Sequence, residues 1–269
     1  MFKRTTQGDK VFLIINAALM VLLCAIILYP VLFVVGRSFM LDAERAVSGL
    51  RFIPYNPSLD AYKYIFMRGS YVIRAYGNTI ARTILGTALD LVFTIVFAYV
   101  LAQRRYPLHK PLTMMVVFTM WFSGGLVPNY MLILRNFFME IPAGLIESAT
   151  IDGANDLQIL TRVVIPTSGA AIATIGLFYA VTHWNSWFDG VMYVTDRKLW
   201  TMQVFLREII RSAQVVDLVE PEAASRAAIP QAEMVQMASI VITALPIICV
   251  YPFVQKYFVK GVMVGSIKG

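Results

Sequence analysis

The sequence predicts an all-α fold, a polytopic bundle of membrane helices. Three observations carry this. Of the 269 residues, 58% are hydrophobic and 14% charged, where a soluble domain carries about 25% charged residues. Mean hydropathy is +0.68. Long apolar runs recur along the chain between short basic or polar segments, and about 20 apolar residues suffice for one helical crossing.

Taken in order, residues 1–10 form a short basic N-terminus. The run 11–36 is uncharged and long enough to cross with tilt. It is too long for the apolar part of a secretory leader and lacks a small-residue cleavage site, so it is expected to remain as a span. Residues 37–75 are mixed and polar, rich in Tyr, Arg and Pro. A second span covers 78–102, with Arg104, Arg105 and Lys110 at its end. A shorter apolar stretch, 111–139, precedes a polar segment, 142–166. A further span is expected at 167–194, then a polar loop with some helical character at 195–235. The last span, 236–258, is interrupted by Pro246 and Pro252. No linker, repeat or low-complexity tract divides the chain, so 1–269 reads as one transmembrane domain.

The formal net charge is +7, yet the basic residues are scattered among loops. That is the pattern of spans flanked by an anionic membrane face, and a poor one for nucleic acid. Basic residues at the N-terminus, at 104–110 and at the C-terminus agree on a cytoplasmic side. The opposite face then carries Arg37, Arg45, Arg51, Lys63, Arg68 and Arg74, so charge alone does not settle the orientation; an internal N-terminus is preferred. Cys24 and Cys249 both lie in apolar runs and read as buried structural thiols, with no metal site.

The segment 142–166 has its own local logic. Pro142 suits a helix start, where its missing N–H costs nothing. The helix can run to about Asp152, and Gly153 permits the turn that ends it. Asn155 and Gln158 have the spacing of a capping box opening a second helix. Leu157, Leu160 and Val164 fall on one face of that helix, and Pro166 marks the start of the next apolar run.

The pattern Glu147-Ser148-Ala149-x-x-Asp152-Gly153-Ala154, followed by Ile165-Pro166, resembles the EAA loop of binding-protein-dependent ABC transporter permeases. Ala98-Tyr99 through Arg104-Arg105, Gly124 to Pro128, His183 to Phe188, Leu206-Arg207-Glu208 and Tyr251 to Gly261 are similar to the carbohydrate-permease branch. The ending Gly265 to Gly269 is similar to maltose-type tails. The nearest resemblance is to oligosaccharide permeases of Gram-positive bacteria. It implies a type I importer fold with a cytoplasmic coupling helix, in which Glu147, Ser148, Ala149, Asp152, Gly153, Ala154 and Pro166 meet an ATPase subunit. It implies that Gly265, Lys268 and Gly269 reach the ATPase interface. The alternatives are a solvated loop and a frayed terminus.

The partners so implied are a second homologous permease, two ATPase subunits and an extracellular sugar-binding lipoprotein, all at a bacterial plasma membrane. The chain has no Gly-x-x-x-x-Gly-Lys-Ser/Thr phosphate loop. No cofactor is therefore expected in this chain and no enzymatic activity; ATP and magnesium would belong to the partner ATPases. His183, Trp184, Asn185, Trp187 and Asp189 cluster near one end of the 167–194 span. Trp184, Asn185 and Trp187 suit a sugar pathway, since rings pack on a pyranose face and amides pair with hydroxyls. An aromatic interface belt has the same composition. His183 with Asp189 is read as a helix-packing contact, and Asp90 as an ionisable residue inside a span with no assigned role.

One stretch departs from the family. Relatives place two full spans between the basic turn and the loop. The 36 residues of 111–146 extend about 54 Å as continuous helix, and two crossings need about 60 Å before any turn. About one helix length is missing. A re-entrant pair bent at Gly124-Gly125 and Pro128 would return the loop to the cytoplasm. A single span would strand it outside and make the chain a shortened, non-functional permease. An ion-coupled secondary transporter would need charged or broken mid-membrane segments in matching halves, and only Asp90 hints at that.

Overall fold

The computed structural model describes residues 7–40, 53–67, 69–103, 105–122, 125–219 and 232–266. Every regular element among them is helical. In chain order they are α1 (Gln7–Arg37), α2 (Asp60–Phe66), α3 (Gly69–Ala102), α4 (His109–Trp121), α5 (Leu126–Met139), α6 (Ala143–Ile151) and α7 (Asp156–Ile159). A π-helical turn (Leu160–Val164) and the short α8 (Ile165–Thr167) follow. Then come α9 (Gly169–Asn185), α10 (Phe188–Tyr193), a 3-10 turn (Arg197–Leu199), α11 (Met202–Val219) and α12 (Ala232–Ser266).

Among the described residues, three helical stretches are long and apolar enough to cross a membrane: Lys10–Arg37, Tyr71–Ala102 and Ala232–Pro252. A fourth qualifies only as a bent pair, Asp156–Thr167 with Gly169–Asn185, which turns through 83°. The region expected as one span at 167–194 is thus divided. Helix α9 ends at Asn185, because Ser186 takes an extended ψ of 121° and leaves the helix. The Ser186 hydroxyl then donates to Asp189 at 2.9 Å at the start of α10. The expected interruption of the last span is absent: α12 runs unbroken through Pro246 and Pro252. Membrane helices tolerate proline because neighbouring groups and small local adjustments take up the freed carbonyls.

The described residues form two compact units. The first comprises residues 1–74 and 204–246. In it, α1 is apolar around its whole circumference, and most of its large side chains are exposed. Such a helix is suited to hydrocarbon rather than water. Cys24 and Cys249 are exposed, not buried as the sequence led one to expect; they lie on surfaces that a membrane can cover. Arg37, at the end of α1, pairs with Glu233 at the start of α12 at 3.3 Å. Ser38 and Tyr62 share a hydrogen bond of 2.7 Å, and Tyr62 stacks on Phe39.

The second unit comprises 75–203 and 247–269. Its core joins Ala98, Leu101, Leu134, Phe138, Ile159, Leu160, Val164, Ile175 and Tyr179, so α3, α5, the π-helical turn and α9 share one apolar interior. The segment after the 3-10 turn is tied to the start of α3. Asn78 donates to the carbonyl of Lys198 at 2.8 Å, and the Met202 amide donates to the Thr79 hydroxyl at 2.8 Å.

Candidate functional site

The loop 142–166 is built from two interlocking local motifs. Pro142 sits at the N-cap of α6, and its carbonyl accepts from the Leu145 amide at 3.0 Å. At the other end Gly153 adopts φ of 82°. The Gly153 amide donates to Thr150 and the Ala154 amide to Ala149, both at 3.0 Å. These are the two bonds of a Schellman closure, which needs a left-handed residue at the position Gly153 occupies. Asn155 then opens α7 with a reciprocal capping box: its side chain accepts from the Gln158 amide, and the Gln158 side chain accepts from the Asn155 amide, each at 2.9 Å. Asn155→Ala should therefore cost about 1 kcal/mol, visible as a loss of amide protection confined to 155–159 in hydrogen exchange.

Leu160 and Val164 enter the core, joined by Ile159. Leu157, which shares their face by spacing, is 67% exposed. It lies in the first turn of α7, ahead of the five-residue π-helical turn at 160–164. Ile151 is also exposed, at 85%. Glu147, Ser148, Asp152 and Gly153 are exposed, while Ala149 and Ala154 are half-buried. The loop thus presents a polar surface with two bare apolar side chains beside its turn. Pro166 lies inside α8, just before the bend.

The loop is anchored at a definite place. Both carboxylate oxygens of Asp156 are engaged, one by the Arg105 guanidinium, the other by the Tyr106 hydroxyl at 2.9 Å. Arg105 and Tyr106 follow directly on the C-terminal end of α3. Arg135, near the end of α5, donates to the Leu101 carbonyl at 3.1 Å, one residue from that same end. Helices α4 and α5 have 13 and 14 residues, about 20 Å each, well short of a roughly 30 Å hydrocarbon core. Gly125 joins them with φ of 80°. Chain 109–139 therefore leaves one end of α3 and comes back to it.

A polar seam runs between α3 and α9–α10. Arg82 pairs with Asp189 and donates to Ser186 at 3.0 Å. Asp90 pairs with His183 at 2.9 Å. Thr94 and Tyr179 share a buried hydrogen bond of 2.7 Å. The residues 82, 86, 90 and 94 recur every four, so one stripe of α3 carries the whole seam. The sequence reading joined His183 with Asp189; the fold gives each a different partner, since they lie on separate helices facing different turns of α3. Asp90, left without a role, is His183's partner. Tyr179→Phe would leave the Thr94 hydroxyl without its partner; a loss of about 1–3 kcal/mol is expected in unfolding of the purified chain.

Trp184 meets Tyr76, ring centroids 6.5 Å apart, and Trp187 packs edge-on against Phe188. Asn185 donates to the Val181 carbonyl at 2.9 Å. The fold brings these residues to one end of α9. Gly265 falls in the last described turn of α12. Arg104, Gly124, Lys268 and Gly269 lie outside the described residues.

The described residues thus form a helical membrane protein carrying an anchored helix–turn–helix. No family model matches the chain. It is 35% identical to Protein LplC of Bacillus subtilis, over 98% of this chain and 97% of that protein. It is also 35% identical to the polygalacturonan/rhamnogalacturonan transport system permease protein YtcP of Bacillus subtilis, over 97% and 99% of the two chains. A permease chain in the crystal structure of a bacterial ABC transporter involved in import of the acidic polysaccharide alginate superposes with a TM-score of 0.77 at 31% identity, covering 96% of this chain and all of that one. This chain belongs to the carbohydrate ABC transporter permease family. It is a multi-pass plasma-membrane subunit of a sugar importer, working in a complex with an ATPase and a binding protein. The alignment with LplC spans 290 positions against 269 residues here, so LplC carries residues with no counterpart in this chain.

Proposed function

We propose that the loop 142–166 is the element through which this permease receives the ATPase stroke. Glu147, Ser148, Ala149, Asp152, Gly153, Ala154 and Pro166 form or shape the surface that seats on an ATPase subunit. The observation that carries this is the anchoring of Asp156 beside Arg105 and Tyr106, at the end of α3 to which α5 also returns. The short pair α4–α5 then enters the membrane and leaves by the same face. Non-helical backbone at that depth needs protein around it, which a second permease subunit supplies. ATP and magnesium are held by the ATPase subunits, two per complex, and this chain makes and breaks no covalent bond. The tail with Gly265, Lys268 and Gly269 reaches toward the ATPase pair.

Closure of the ATPases on ATP moves the loop, and the permease pair opens outward to a sugar delivered by an external lipoprotein. Only differential binding to the two states is required. The substrate is an oligosaccharide from an acidic polysaccharide, a reading supported by the polygalacturonan and alginate importers among the relatives. Trp184, Asn185 and Trp187 stand along its path.

Thiol accessibility tests the placement. Cys24 and Cys249 are exposed and free and must be replaced first. Ser148→Cys is then expected to react with an impermeant maleimide in inverted membranes and not in intact cells. Labelling from outside would strand the loop away from ATP and end this reading.

A further inference from the structure

Helices α3 and α9 lie side by side but have unlike bare faces. The bonds of Tyr179 to Thr94 and of His183 to Asp90 hold this part of α9 against the middle of the Tyr71–Ala102 span. Between residues 80 and 97 every exposed side chain of α3 is apolar, Ile84, Leu85, Leu89, Val92 and Phe93 among them. Such a face suits hydrocarbon. Between residues 170 and 185, α9 exposes only Phe178, Thr182 and Asn185. They stand four and then three positions apart, so they share one face, and the half-buried Thr174 continues it. The Thr182 hydroxyl donates to the Phe178 carbonyl at 2.8 Å, and its oxygen keeps acceptor capacity. Asn185 gives one of its two amide hydrogens to Val181 at 2.9 Å, and its oxygen lies 3.5 Å from the Gln203 amide. Tyr130 of α5 stacks on Phe178, ring centroids 5.7 Å apart, which fixes that ring in place. A bare carboxamide in hydrocarbon would leave hydrogen-bonding groups unmet at a cost that water removes.

We propose that Phe178, Thr182 and Asn185 form this subunit's wet wall of the sugar path, meeting the neutral hydroxyls and the apolar face of a passing glycosyl unit. Rings and amides are the groups a pyranose pairs with, and the stripe carries no charge, so it reads hydroxyls and not a carboxylate. This wall presupposes the reading above, in which two permeases enclose the path. Asn185 belongs to both. Trp184, half-buried and set against Tyr76, lies off the stripe, about a third of a turn around α9 from Phe178.

With Cys24 and Cys249 replaced, Thr182→Cys and Asn185→Cys are introduced singly into the complete transporter, with its partner subunits, in lipid nanodiscs. Leu85→Cys and Leu89→Cys on α3 are the comparison. The probe is a charged methanethiosulfonate reagent, which needs a hydrated thiolate. Both α9 thiols are expected to react at least tenfold faster than the α3 thiols, with rates that differ between the nucleotide-free and the vanadate-trapped transporter. Reaction as slow as on α3 in both states overturns the proposal, and would place lipid or a helix of the second permease over the stripe. Rates indifferent to vanadate trapping overturn it as well, since a path wall changes its access as the pair opens. Phe178→Ala should also lower trigalacturonate uptake about tenfold, the loss of one aromatic contact; unchanged uptake overturns the sugar contact. Labelling as expected in a transporter that takes up no trigalacturonate would refute the acidic-oligosaccharide reading and uphold the wall.

Discussion

Replacing Gly153 by valine is expected to uncouple the transporter, lowering binding-protein-stimulated ATP hydrolysis at least tenfold while the chain still inserts and assembles. Gly153 stands at φ of 82°, a region that costs a β-branched residue roughly 1–2 kcal/mol or more. The cheapest relief is to abandon the left-handed turn. Doing so breaks the bonds from Gly153 to Thr150 and from Ala154 to Ala149, and it changes the direction in which α7 leaves α6. The anchor at Asp156 is on the far side of the turn, so it survives. The loop would be present but wrongly aimed. Nothing lies within 4 Å of an added Cβ, so the strain starts in the backbone conformation. Gly153→Asn, which tolerates the left-handed region far better, should recover most of the activity. Measuring ATP hydrolysis of the reconstituted complex for the pair separates this account from simple crowding, for which valine and asparagine would be equally damaging.

Replacing Gly86 by alanine is expected to destabilise the chain by about 1–3 kcal/mol, the usual cost of forcing extra volume into a packed contact. A methyl group there would lie 2.6 Å from the His183 ring. The ring must move, and its bond to Asp90 at 2.9 Å must stretch or break. Asp90 is then left in a membrane helix without its partner, which is costly in an apolar setting. His183→Ala removes the obstacle together with the bond. In that background Gly86→Ala should cost almost nothing. A double-mutant cycle on denaturant unfolding of the purified chain gives the coupling directly. Additive effects of the two substitutions would show that the close approach of α3 and α9 at this point is not held as described.

The particular residues show which parts of this structure were legible beforehand. The Schellman turn at Gly153 and the capping box of Asn155 and Gln158 were readable because both are closed by bonds reaching no more than five residues. The π-helical turn at 160–164 was not readable in the same way, because apolar spacing does not signal it. Continuity of α12 through Pro246 and Pro252 also escaped the sequence reading, since a proline's effect in a span depends on what surrounds its freed carbonyls.

By itself the sequence determined that this is a helical membrane protein of the sugar-permease kind, and where its exposed loop starts, turns and is capped. Those are properties of composition and short-range spacing, and they hold whatever the chain packs against. Only the tertiary structure decided the pairing of Asp90 with His183 and of Arg82 with Asp189, contacts between residues about a hundred positions apart. It also decided that two helices too short to cross bring Arg135 and Asp156 back to the end of α3. Such partners are chosen by helix packing, where one stripe of α3 can meet only one face of α9. No local pattern in the chain encodes which face that is.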